Sequence, residues 1–325
     1  MFSETIRKTR GSTPLAFTLI EVLVVIAVIA LLVSLLLPTL GKAKKIAKLT
    51  REMAAAKQLQ LAYSSYSNDM RDRLLPGYLA WDWAHSGPVA MLPQDDLARY
   101  GTGYPVKRYP WRILPWLDYD LRGILVDPEQ HSRVRALTRD PRPPGTLLEP
   151  ESEPQTFEDA VSCNPSFGIN GTFAGGDWGR GAFRPINLRR FGQYYLTKQS
   201  DAVFGSRIMV FASARGTGPT TGGQVVPGYF NITSPYTTPL HYDWLPDNVA
   251  ATFNSTRLPG FNRLKWDPDL PPDATGNLDF RHIGDVAVAS FLDGHAKSIT
   301  LTEAKDMRLW SDQATDADWR PTPRQ

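Results

Sequence analysis

The sequence predicts an α+β chain in which one long N-terminal helix, first membrane-spanning and then stalk-like, packs on a loop-rich antiparallel β-sheet domain. Three observations predict it. Residues 17–37 read FTLIEVLVVIAVIALLVSLLL, an apolar run whose only ionisable side chain is Glu21. Residues 42–70 continue with few helix breakers. Beyond them the pattern changes to short apolar stretches between turns, with 25 Gly, 27 Pro, 9 Trp and 12 Tyr in 325 residues. That composition suits an aromatic-packed sheet with many loops better than a helical bundle.

Taken in order, residues 1–16 form a short polar leader that carries Arg7, Lys8 and Arg10 and ends in Pro14-Leu15-Ala16. The run at 17–37 is a transmembrane helix: at ~1.5 Å per residue it spans roughly 31 Å, the depth of a bilayer core. An acid in such a run costs on the order of 2–3 kcal/mol even on the mild insertion scale, so Glu21 implies a partner, and a cationic amine fits best. A secretory signal would be shorter, ~7–15 apolar residues before a small-residue cut. Pro38 follows directly and removes one backbone donor, which predicts a kink. Residues 38–70 then read as an amphipathic stalk helix. Ile46, Leu49, Met53, Ala56, Leu59, Gln60 and Tyr63 recur at spacings of three and four, against Lys44, Lys45, Arg51 and Lys57. Turn formers from Tyr66 to the Pro76-Gly77 pair end it.

Residues 71–310 form the globular domain. Tyr109–Leu117 (YPWRILPWL) is an aromatic block placed to cap the core, and 139–155 is a Pro- and charge-rich surface loop. Ile208–Ala214 reads as a buried strand, and 215–228 (RGTGPTTGGQVVPG) as a loop. Val286–Leu292, Asp293-Gly294 and His295–Leu301 give a hairpin signal; a type I′ turn at Asp-Gly pairs Leu292 with His295 and Val288 with Ile299. The tail at 311–325 is polar and reads as loosely ordered. A net charge of +3 argues against a nucleic-acid partner. The single Cys163 excludes an intrachain disulfide.

The leader and Phe17-Thr18-Leu19-Ile20-Glu21 resemble the type IV prepilin and type II secretion pseudopilin family. The resemblance implies a pilin-like fold and cleavage between Ala16 and Phe17 by a prepilin peptidase that also N-methylates the new terminus. Glu21, the fifth mature residue, would pair with the N-terminus of a neighbouring subunit. The family usually has Gly where this chain has Ala16. The junction at 66–77 resembles the end of the pseudopilin stalk. Tyr109–Leu117 and Asn164–Asn170 (NPSFGIN) resemble blocks of large planctomycete-type pilin-like proteins. Lys42, Lys44, Lys45, Lys48 and Arg51 outnumber the basic residues of the leader, so charge counting alone keeps the C-terminal side in the cytoplasm. Prepilin processing requires the opposite: an inner-membrane, single-pass chain with a periplasmic C-terminal domain, passing into a periplasmic or surface filament after the cut. The implied partners are the peptidase, other pilin or pseudopilin subunits, the inner-membrane assembly platform and the lipid bilayer, with no cofactor and no catalytic residues.

His282, Asp293 and His295 are the one compact grouping of metal-ligand residue types, and would serve an alternative reading as an uncleaved membrane-anchored binding domain or metal-dependent enzyme. A turn role for Asp293-Gly294 and a strand role for His295 explain them more simply. The large pilin-like proteins end in a His, about nine residues and Asp-Gly; here ten residues separate His282 from Asp293. That motif implies no activity. Asp267, Asp269 and Asp273 could supply oxygen ligands to calcium, or belong to an exposed Pro-rich loop. Asn170, Asn231 and Asn254 head glycosylation-type triplets of little weight. No nucleophile elbow, phosphate loop, dinucleotide fingerprint or zinc-peptidase motif is present.

Overall fold

The computed structural model describes residues 18–78, 108–126, 161–162, 164–176, 191–216, 225–235 and 276–319, with the single positions 132, 189, 321 and 324. The chain divides into two compact units, residues 1–47 and 48–325. Helix α1, Leu19–Asp69, continues through Pro38 without interruption.

In the first unit the apolar side chains from Leu19 to Leu40 are exposed. This is one helix long and apolar enough to cross a membrane. Its few hydroxyls are turned inward along the backbone, as an apolar surrounding demands: Ser34 Oγ donates to the Leu31 carbonyl at 2.7 Å and Thr39 Oγ1 to that of Leu36 at 2.8 Å.

In the second unit α1 buries Glu52, Ala55, Ala56, Leu59, Gln60, Ala62, Tyr63, Tyr66 and Ser67. The lower part of the expected stripe holds. Its upper part is looser: Leu49 and Met53 are partly buried and pack against the core, and Ile46 is exposed. The buried face begins at Glu52, whose carboxylate meets Arg281 and His282 from the segment just before β5.

That sheet has four strands: β1 (Phe167–Ile169), β2 (Met209–Ser213), and, after the short pair β3 (Arg215–Gly216) and β4 (Val226–Pro227), β5 (Val286–Phe291) and β6 (Ala296–Thr300). The order is β1-β2-β5-β6, antiparallel at every step. The α+β layout is thus present: a long apolar N-terminal helix and an antiparallel sheet. β2 is buried along its whole length and β5 from Ala287 onward, so the two central strands are covered on both faces. On one side lies α1, with Tyr63 edge-on to Phe211 at 5.5 Å and the Ser290 hydroxyl donating to Gln60 Oε1 at 3.2 Å. The aromatic block forms helix α2 (Tyr109–Ile113), all five residues buried. Tyr109 donates its hydroxyl to the Phe167 carbonyl at 2.6 Å, and Arg112 donates to the carbonyls of Pro76 and Gly77. Trp116 Nε1 donates to Asp69 at 2.8 Å, tying the block to the end of α1.

Three sequence expectations differ from what is found. The hairpin register is shifted by one: Val288 pairs with Ser298 and Ala287 with Ile299. Gly294, at φ +97°, takes the left-handed position alone, while Asp293 stays out of it. The loop is therefore Leu292-Asp293-Gly294, closed by Gly294 N–H to the Phe291 carbonyl and Phe291 N–H to the His295 carbonyl, each at 2.9 Å. Leu292 is spent on the other neighbour, donating its N–H to the Ile208 carbonyl at 2.9 Å. The stretch at 215–228 is not wholly loop, since its ends zip as β3 and β4.

Residues 311–319, read as the start of a loose tail, are tied down. Asp312 accepts the N–H groups of Val203 and Phe204 at 3.0 and 2.8 Å, and Gln313 Nε2 donates to the Gln193 carbonyl at 2.9 Å. Ahead of them, helix α3 (Leu301–Ala304) opens on a capping box of Thr300 and Glu303.

Candidate functional site

The first candidate is the start of α1. Ala16 and Phe17 lie outside the described residues. At Thr18 the backbone N–H and the hydroxyl both donate to Glu21 Oε2, at 2.8 and 2.7 Å, while Glu21 N–H donates to Thr18 Oγ1 at 3.3 Å. This is a capping box, with Thr18 as the cap residue and Glu21 at the third helical position. It gives the acid a local role that the sequence reading did not include, though the Thr-x-x-Glu spacing displays it. Two donors engage one carboxylate oxygen; Oε1 has no hydrogen-bond partner among the described residues.

The second lies in the domain and is built around an acid that sequence reasoning passed over. Glu52 sits in the buried face of α1 with 4% of its side chain exposed. Its Oε1 accepts from Ser213 Oγ at 2.5 Å and from the Arg281 guanidinium at 2.7 Å. Its Oε2 accepts from Arg281 Nε at 3.2 Å and from His282 Nε2 at 2.8 Å. An ionised carboxylate only accepts, so His282 Nε2 carries a hydrogen here. The other edge of the guanidinium donates to Asp279 at 2.9 Å. Arg281 thus bridges two carboxylates with the forked geometry that favours bidentate pairing.

Local structure explains the convergence. Ser213 closes β2, and its Oγ also accepts the Val288 N–H of β5 at 2.8 Å, so the hydroxyl hydrogen is left for Glu52. Just before β5 the chain reverses through Gly284 and Asp285, both left-handed, which brings His282 back beside Val286. Arg281 and His282 are thereby held at one end of the hairpin, over the two central strands.

Burial by itself would push the Glu52 carboxyl up. The Arg281 charge, with the hydrogen bond and charge of His282, outweighs it and holds the group down at about 2. For Asp279 the balance reverses: burial dominates and raises it, although Arg281 pulls the other way. One guanidinium serves two acids, and Glu52, with two further donors, takes the larger share.

The structure separates the residues that the sequence grouped. His282 lies at the open end of the hairpin and Asp293 and His295 at its loop, six strand residues away, roughly 20 Å at ~3.3 Å per residue. There, Asp293 Oδ1 accepts from His295 Nδ1 at 2.6 Å and from the His295 backbone N–H at 3.2 Å, with both side chains about 40% exposed. The His295 ring stacks on Phe291 at 4.3 Å. These contacts are those of a loop-closing turn.

Among the described residues no three His, Cys, Asp or Glu side chains are grouped to hold a metal ion. Asp267, Asp269 and Asp273 lie outside the described residues, as does Asn254. Asn170 and Asn231 are buried; Asn170 donates to the carbonyls of Met209 and Trp310 at 2.9 and 3.0 Å, so neither is open to glycosylation in the folded domain. No protein-family model, no curated protein and no solved structure matches the chain.

Proposed function

We propose that the chain is a pilin-like or pseudopilin subunit of a type II secretion or type IV pilus-like assembly. It is cut before Phe17, N-methylated there, and incorporated by packing of its apolar helix against those of other subunits. The observation that carries this reading is Glu21, the one acid in a membrane-length helix whose apolar side chains are all turned outward. An outward-facing apolar helix needs lipid or other helices around it. A carboxylate with one oxygen still open needs a donor, and the amine freed by cleavage between Ala16 and Phe17 is a cationic one. Before assembly the helix spans the inner membrane with the domain on the periplasmic side. The prepilin peptidase, the assembly platform and neighbouring subunits are then its partners, and packing rather than catalysis is its work.

The capping box makes the test sharper, because glutamine can also occupy its third position. Glu21→Gln keeps the local cap and loses the charge; Glu21→Ala loses both. Both variants are expected to leave the domain folded and to abolish or disorder incorporation into filaments, scored by cross-linking of sheared or detergent-extracted material. Normal incorporation of Glu21→Gln would reduce the acid to a helix cap and overturn the charge-pairing role. Mass spectrometry of the intact terminus in cells with a native prepilin peptidase tests the cut itself. A chain beginning at methylated Phe17 supports the reading, and one retaining residues 1–16 favours an uncleaved anchored domain.

A further inference from the structure

We infer that Glu52, Arg281 and His282 form a register lock, which allows α1 to seat on the sheet at one axial position and makes the neighbouring positions unfavourable. The buried helix face is small at its upper end and large at its lower end: Ala55 and Ala56 come first, and Leu59, Gln60, Tyr63 and Tyr66 follow with Ala62 and Ser67 between them. A shift of one turn, ~5.4 Å along the axis, exchanges small for large at most of these positions, and at the upper end, where Ala55 and Ala56 lie, apolar contact contributes least to the choice of seating. Glu52 adds a charge to that choice at the upper end. It is the one charged residue of α1 that the domain buries. The segment before β5 meets it with the largely enclosed Arg281 and the buried His282, and β2 with the Ser213 hydroxyl.

A slip in one direction puts Ala56 where Glu52 was. Arg281 and His282 then lose their carboxylate while still enclosed, and Arg281 keeps the Asp279 carboxylate and the Ala214 carbonyl. A slip in the other direction brings Lys48 to the same place. A lysine there faces a guanidinium instead of pairing with it, and Lys45, seven residues before Glu52, repeats the repulsion at the next turn but one. Native seating is thus favoured by the carboxylate and the alternatives are disfavoured by what flanks it. The partners of Glu52 are separated from it by 229 and 230 residues, so the lock closes only when the C-terminal hairpin has been made. This also gives a physical role to the Arg281-His282 end of the His…Asp-Gly motif, while the Asp293-Gly294-His295 end closes the loop.

The test relocates the key. All variants are made in the full chain with Cys163→Ser, in detergent, and are oxidised to trap cysteine pairs. The native contact of Gln60 with Ser290 makes Gln60→Cys/Ser290→Cys the reporter of native seating. Ala56→Cys/Ser290→Cys reports a slip of one turn. With Glu52 and Lys48 intact, only the first pair should cross-link. Glu52→Ala with Lys48→Glu moves the carboxylate back by one turn, and the dominant cross-link should switch to the 56–290 pair, by tenfold or more in relative yield. Persistence of the 60–290 pair as the dominant product would overturn the lock, since packing would then set the register unaided. If the relocated variant yields neither product, Glu52→Met/Arg281→Met/Asp279→Asn decides. It removes the lock without stranding a buried charge. Mixed 60–290 and 56–290 products are then expected, and a clean 60–290 product would refute the inference.

Discussion

Glu52→Gln changes one atom and should cost the domain a large part of its stability. The carboxylate accepts four hydrogen bonds, two on each oxygen: Ser213 and Arg281 on Oε1, Arg281 and His282 on Oε2. Glutamine turns one oxygen into an NH2 group, which places a donor against two donors whichever way the amide is flipped. The negative charge is lost as well, leaving the largely enclosed Arg281 with Asp279 as its one counter-charge among the described residues. Breaking a buried pair from one side costs about 3–5 kcal/mol, because the partner is left uncompensated. Held at about 2 against an ordinary 4.5, the Glu52 carboxyl gives a consistent figure: at ~1.4 kcal/mol per pH unit the difference amounts to roughly 3 kcal/mol. For a domain of this size each kcal/mol moves the midpoint by about 2–4 °C, so Tm should fall by on the order of 10 °C. The assay is thermal unfolding of the full chain in detergent followed by tryptophan fluorescence, with the exposed Lys57→Gln as control. A double-mutant cycle with Arg281→Met should show that the two losses are far from additive. A Glu52→Gln midpoint within ~1 kcal/mol of the parent would refute the reasoning, since only exposed ion pairs are worth so little.

The same carboxylate sets an acid limit. Its folded value lies below its unfolded one, so its contribution is complete above pH 4.5 and is lost as pH falls from 4.5 toward about 2, while the raised Asp279 offsets part of the loss. The stability gap between parent and Glu52→Gln should therefore close over that window in acid-titrated unfolding; a gap independent of pH would count against an ionised Glu52. Gly294→Ala forces a side chain into φ +97° and should cost about 1–3 kcal/mol, read from the unfolding midpoint. An unfolding midpoint unchanged by Gly294→Ala would refute a left-handed Gly294, and Asp293→Ala should carry no such backbone penalty, because Asp293 is not left-handed as a type I′ turn would require. His295→Ala should change stability by less than ~1 kcal/mol, because its pair with Asp293 is about 40% exposed. Purified chain should also bind no zinc through the hairpin in calorimetry; stoichiometric zinc abolished by His295→Ala would revive the metal reading.

Local chemistry made several parts of this protein legible in the sequence. The apolar run and its lone acid need only composition and length, since a bilayer-length helix satisfies its own backbone wherever it lies. The strand at 208–214 and the hairpin at 286–301 could be read for the same reason: buried β-branched and aromatic stretches flank turn residues. The hairpin register could not be read. Asp-Gly is compatible with more than one loop, and the Leu292 N–H bond to Ile208, a contact between distant segments, decides among them. Glu52 shows the limit most clearly. On a helical wheel an acid beside Ala55, Ala56 and Leu59 is a flaw in an apolar stripe, and periodicity passes over it. Only the tertiary structure brings Ser213, Arg281 and His282 to it across 161 to 230 residues, and turns a costly buried charge into a satisfied one. Sequence fixes which segments can be helix or strand because those preferences are local. Which buried charges find partners depends on contacts that exist only after the chain has folded.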